Sequence, residues 1–178
     1  MKILRILLVI LAVLASVFVF VRFYYTKSFS PSASEKFEKN GLVVTVDYCQ
    51  PSKKNRLIFG EDKDKALVPY GKWWRTGANE ATIIKFSKDV TIANKPLKAG
   101  TYTIFTIPEK DNWTIIINGE VGQWGLEYDE KKNVMTVDVP STQVSNSLEQ
   151  FKIDFIEQPT GGDMVLQWDT TQVTVPIR

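Results

Sequence analysis

"TYTIFTIP" (residues 101–108) and "WTIIIN" (113–118) flank the short polar run "EKDN" (109–112). β-branched and aromatic residues dominate both flanks, and the connection is too short and polar to continue either one. This is the pattern of a β-hairpin. Working outward, the same period of two recurs. In "LVVTVDYC" (42–49), Val44, Val46 and Tyr48 share a face. In "TIIKF" (82–86), Ile84 and Phe86 oppose Lys85. Val90 and Ile92 alternate with Thr91, and Asn94-Lys95-Pro96 is expected to turn the chain. "VMTVDV" (134–139), "FKIDFI" (151–156), "MVLQW" (164–168) and "VTVPI" (173–177) complete about nine strands, with Pro176 at an edge or a strand end. No window carries a convincing amphipathic helix. The expected body is all-β: an antiparallel β-sandwich over residues 41–178, with a jelly roll or a barrel as variants.

The N-terminus differs. Lys2 and Arg5 precede "ILLVILAVLASVFVFV" (6–21), sixteen uninterrupted apolar or small residues, and Arg22, Phe23, Tyr24, Tyr25 and Lys27 follow. A helix over Ile6–Val21 spans about 24 Å, and the aromatic residues extend it to about the 30 Å of a hydrocarbon core. Arg22 would snorkel, and Phe23, Tyr24 and Tyr25 would form an interfacial belt. A cleaved signal peptide is the alternative. However, bulky Phe18, Phe20, Phe23 and Tyr25 stand where small residues should mark the cut, and no lipobox cysteine exists. Residues 1–25 are therefore expected to be a transmembrane helix acting as anchor, or else a signal segment, and 26–40 a solvated, flexible linker. The expected address is the inner membrane, single-pass, with the domain periplasmic; a cleaved and secreted form is the variant.

The net charge of +2 divides unevenly. Residues 1–40 carry six basic and two acidic side chains, which leaves sixteen basic and eighteen acidic side chains for the rest. The body thus lacks the electrostatic footprint of a nucleic-acid partner. There is no histidine and one cysteine, Cys49. This removes Ser-His-Asp and Cys-His catalysis, ordinary zinc ligand sets and any intrachain disulfide. An all-oxygen Ca²⁺ site is left open by these counts, but no EF-hand spacing occurs, and the expectation is no metal and no cofactor.

The candidate site is "WWRTGANEAT" (73–82), a loop feeding a strand. Arg75 offers a planar fork to a carboxylate, Glu80 is its obvious local partner, and Asn79 can brace either. With Trp74 these residues would line a shallow pocket suited to sugars or peptides. The same residues would equally serve as a structural corner. Arg56, in "QPSKKNRLIFG" (50–60), and Trp124 and Tyr128, in the long loop "NGEVGQWGLEYDE" (118–130), could complete a pocket. Glu80 with Glu127 or Asp129 could instead form a histidine-free carboxylate pair for glycoside hydrolysis.

"PSKKNRLIFG", "LVPYGKWWRTGANEAT", "KPLKAGTYTIFTIP", "WTIIIN", "WGLEYD", "LEQFKIDF" and "LQWDTTQVTVPI" stand in the order seen in the bacterial domain-of-unknown-function 2911 family, which this chain resembles from Val43 to Ile177. The matching positions include Arg56, Trp74, Arg75, Thr76, Gly77, Asn79, Glu80, Trp124 and Gly125. The charged stretch Glu61–Ala66 departs from the pattern. The resemblance implies an exported envelope protein and assigns no activity. Together these readings point to a membrane-anchored binding or structural module, whose ligand would be an envelope glycan, peptide or protein. The alternative is a carboxylate-dependent hydrolase of an envelope glycan.

Overall fold

The computed structural model describes residues 2–178. Lys2–Phe20 forms α1, Val21–Tyr25 is a π-helical stretch, and Thr26–Phe29 forms α2. Together they make one helix, Lys2–Phe29, which is long and apolar enough to cross a membrane. None of α1 is buried against the domain. The helix ends four residues beyond the expected anchor, where Ser30 leaves the helical region with φ −146° and the chain reaches Pro31.

Eleven strands follow: β1 Ser32–Lys39, β2 Leu42–Cys49, β3 Phe59–Gly60, β4 Val68–Pro69, β5 Thr82–Phe86, β6 Val90–Ile92, β7 Lys95–Leu97, β8 Gly100–Pro108, β9 Asn112–Asn118, β10 Asn133–Gln158 and β11 Gly161–Ile177. The expected hairpin is present, β8 pairing antiparallel with β9 from Pro108↔Trp113 to Thr103↔Asn118. The sheet order is β1-β2-β5-β8-β9-β10-β11-β6-β7, and β3 and β4 form a separate parallel pair. β10 carries the sheet from one layer to the other. Its Asn133–Pro140 half pairs with β9, and its Ser141–Gln158 half pairs with β11. The change of partner falls at Pro140–Ser141, and within the β11 pairing the register is irregular on both sides of Leu148. The expected separate strands 134–139 and 151–156 are thus one strand, and so are 164–168 and 173–177.

Two other local expectations change. Residues 26–40 are not a linker: they comprise the end of the helix and β1. β1 pairs with β2 from Ser32↔Cys49 to Lys39↔Leu42. The turn is Asn40-Gly41, at φ 51° and 74°, the left-handed pair a two-residue hairpin needs. As an edge strand, β1 faces solvent with Ser34, Lys36 and Glu38. That polarity protects an edge from further pairing, and in sequence it reads as a linker. Phe37 alone is buried, stacked on Phe155 at 5.5 Å. The β6–β7 turn falls at Ala93-Asn94, one residue early, which leaves Pro96 in an edge strand where its missing N–H costs nothing.

The core lies between the layers. It is densest where Phe59, Trp74, Trp113, Phe151 and Trp168 meet. Trp74 stacks on Trp168 at 5.8 Å and meets Phe151 edge-on at 5.0 Å, and Phe59 meets Trp113 at 4.8 Å. Such pairs add about 0.5–1.5 kcal/mol each beyond area burial.

Candidate functional site

The 73–82 loop is stitched to the sheet. Trp74 exchanges backbone hydrogen bonds with Thr106 of β8, at 2.7 and 2.9 Å. That strand-like passage sends consecutive side chains to opposite sides. Trp74 turns inward, 8% exposed, and its indole N–H donates to the Gly77 carbonyl. Trp73 turns outward, 40% exposed, against Phe105 and Tyr128. Trp74 is therefore a core residue that supplies the floor of a cleft, and not the open stacking surface expected of it.

Beyond Trp74 the backbone is tightly constrained. Thr76 is buried at φ 51°, uncommon for a β-branched residue. Its carbonyl accepts from the Thr82 hydroxyl at 2.7 Å, and its own hydroxyl donates to that of Thr106. Gly77 is required: a Cβ there would lie 3.0 Å from the Cys49 carbonyl at φ 152°.

This turn aims Arg75 away from Glu80. Arg75 is half-buried, and desolvation pushes its guanidinium pKa down. It forms no ion pair among the described residues. Its stem runs over Gly125, where a Cβ would meet Arg75 Cδ at 2.5 Å. Arg75 lines an open cleft of 390 Å³ with Lys54, Arg56, Asn79 and Phe29, over the Trp74 floor. Its described lining contains no acidic residue. Arg56 is exposed and braced by donating to the Ser52 and Lys53 carbonyls. Lys54 Nζ sits 4.7 Å from the centre of the Phe29 ring, and Asn79 donates to the Ser30 carbonyl. The end of the leader helix thus forms one wall.

Glu80 pairs with the leader. Its Oε1 takes Arg22 Nη1 at 2.8 Å and lies 3.6 Å from Lys27 Nζ, and Oε2 accepts from the Cys49 thiol at 3.6 Å. The Arg22 guanidinium also lies over the Trp124 ring, 3.8 Å from its centre. Partial burial works to raise the Glu80 pKa. The hydrogen bonds from its own backbone N–H and from Arg22, with the charges of Lys27 and Arg22, outweigh this and hold it below the ordinary value. The expected Arg75–Glu80 pair is absent.

The family described as protein of unknown function (DUF2911) matches residues 30–177. The chain belongs to this family. Comparison with curated proteins and with solved structures gave no match. The matched region of this DUF2911 protein begins at Ser30 and so takes in β1, well before the Val43 at which the sequence resemblance begins.

The seven candidate residues therefore separate into three groups. Arg75, Asn79 and Arg56, over Trp74, form the basic cleft. Glu80 and Trp124 hold the leader. Tyr128 belongs to an outer aromatic cluster with Phe105 and Trp73, at 4.7 and 5.1 Å, its hydroxyl accepting from Asn133. Lys54, Arg22 and Trp73 were missed as site residues. Lys54 and Arg56 lie three and five residues after Pro51, in a turn whose Lys54 and Asn55 both have positive φ; only that turn brings both cations to the cleft. Two of the three carboxylates considered for hydrolysis are engaged separately: Glu80 by the leader, and Asp129 by the Lys131 N–H of a short 3₁₀ turn.

Proposed function

We propose that this DUF2911 protein is a non-enzymatic binding module of the bacterial envelope. It is held in the inner membrane by Lys2–Phe29, with its domain in the periplasm, and takes an anionic group into the basic cleft. One observation carries the reading: a half-buried arginine with no counter-charge, beside two further cations in an open cleft whose described lining has no acid. Removing a cation from water without a partner is unfavourable, so folds seldom retain one unless a ligand uses it. A guanidinium offers two parallel N–H donors to a carboxylate or phosphate. The export-type leader supports the address.

The test is thermal unfolding of the full chain in detergent with acetate, succinate, inorganic phosphate or an acidic oligosaccharide added. A ligand at 100 times its Kd stabilises by about 2.7 kcal/mol. At least one oxyanion should raise the Tm of the wild type, fail to raise that of Arg75→Gln, and be recovered chemically unchanged. Equal response of the two proteins would refute the cleft, and consumption of the ligand would point to a hydrolase.

A further inference from the structure

The cleft is built against the end of the membrane helix. Phe29, its last residue, and Ser30 both line it. Phe29 lies four positions beyond Tyr25, the last of the expected belt Phe23–Tyr25, a rise of about 6 Å. Such a height lies inside the headgroup layer of a bilayer, whose polar regions add several Å to each side of the core.

The helix cannot swing freely from the domain. Arg22 is held between the Glu80 carboxylate and the Trp124 ring, Lys27 lies beside the same carboxylate, and Asn79 holds the Ser30 carbonyl. The cleft is therefore kept at the membrane surface. Its rim is partly apolar there: Phe29 and Leu67 are 46% and 42% exposed. A cationic floor with an apolar rim, fixed at headgroup height, matches one ligand chemistry: a phosphate diester whose other end is a lipid.

Resting on the anion-binding reading above, we propose that the ligand is the phosphate of an anionic phospholipid in the membrane that the helix itself spans. Arg75 supplies the bidentate fork, Lys54 and Arg56 neutralise the remaining charge, and Phe29 and Leu67 meet the glycerol and upper acyl region. The lipid is present beside the site at high effective concentration, so modest intrinsic affinity suffices to fill it.

The experiment is native mass spectrometry of the full chain released from detergent, with phosphatidylglycerol or phosphatidylcholine titrated in and glycerophosphoglycerol, the deacylated phosphate diester, as a soluble source of the same group. Arg75→Gln and the exposed Arg56→Gln are compared with wild type. Lys88→Gln, which removes a charge near Asn40, is the control, and circular dichroism checks that each variant is folded. Phosphatidylglycerol should outcompete phosphatidylcholine. Its apparent affinity should fall about ten- to hundred-fold in Arg75→Gln, the loss expected for a charge-assisted hydrogen bond. Arg56→Gln should fall less, and Lys88→Gln should match wild type. If glycerophosphoglycerol binds through Arg75 while the two lipids bind alike, the anion site stands and the lipid assignment is wrong. If phosphatidylglycerol is preferred equally by wild type and both cleft variants, the lipid sits elsewhere and the assignment is again wrong. If no phosphate source binds through Arg75, both readings fall.

Discussion

Single residues divide the 73–82 loop more sharply than its composition suggests. Adjacent tryptophans do opposite things, because an extended backbone alternates its side chains. Trp74→Ala should cost about 3–5 kcal/mol in urea unfolding, the range for an emptied aromatic core position. Trp73→Ala should cost under about 1 kcal/mol, so comparable losses would contradict the assigned faces. Gly125→Ala places a methyl against Arg75 Cδ and 2.7 Å from the Asn79 carbonyl. It should destabilise by about 1–3 kcal/mol, as overpacking does, and weaken oxyanion binding at the same time. Glu80 gives a pH signature. Its folded pKa lies below the ordinary 4.5, so its stabilisation is whole above the unfolded value and disappears as pH falls through the folded one. With both partners part-exposed, the contribution is about 1 kcal/mol. Glu80→Gln should therefore lower stability at neutral pH and converge on wild type in acid. A constant offset across a pH series of unfolding curves would remove the Arg22–Glu80 pair from the account.

At the scale of elements, β1 is the instructive case. It looks like a tether because only Phe37 is buried, and an edge strand gains by being polar on its open side. The Asn40-Gly41 dipeptide was the available signal, since both residues adopt left-handed φ readily. Phe37→Ala should cost about 3 kcal/mol of unfolding free energy in urea if β1 is part of the sandwich. A tether would lose nothing. β10 shows the converse. Its 26 residues read as two strands with a gap, because residues 141–150 are mostly polar and solvent-facing where the strand passes between layers.

For the whole molecule, the decisive feature is the junction between helix and domain. Glu80, Trp124 and Asn79 are spent on the leader, so the domain is fixed to the helix by side-chain contacts as well as by the chain itself. Limited proteolysis should cut Arg22→Gln/Lys27→Gln around residues 28–31 several-fold faster than wild type. Equal rates would mean that the Glu80 contacts do not hold the junction closed.

Local physics made part of this protein legible from its sequence. Sixteen apolar residues in a row call for an apolar helix, which with the aromatic residues after it is long enough to cross a bilayer, and a period of two over Thr101–Asn118 calls for a hairpin with one face buried. The absence of histidine excludes whole classes of chemistry. Those conclusions need only side-chain solvation and the geometry of neighbouring residues. The candidate site was legible as a stretch of chain, but its arrangement was not. Arg75 and Glu80 are five residues apart and look like partners, yet the chain turns between them through positive φ at Thr76, Gly77 and Asn79, and Arg75 lines the cleft while Glu80 pairs with Arg22. The cleft joins Phe29, Lys54, Arg56, Arg75 and Asn79 across as many as fifty positions. Long-range strand pairing sets such a meeting, and pairing is decided by the burial of one shared core, a property that no window of sequence contains.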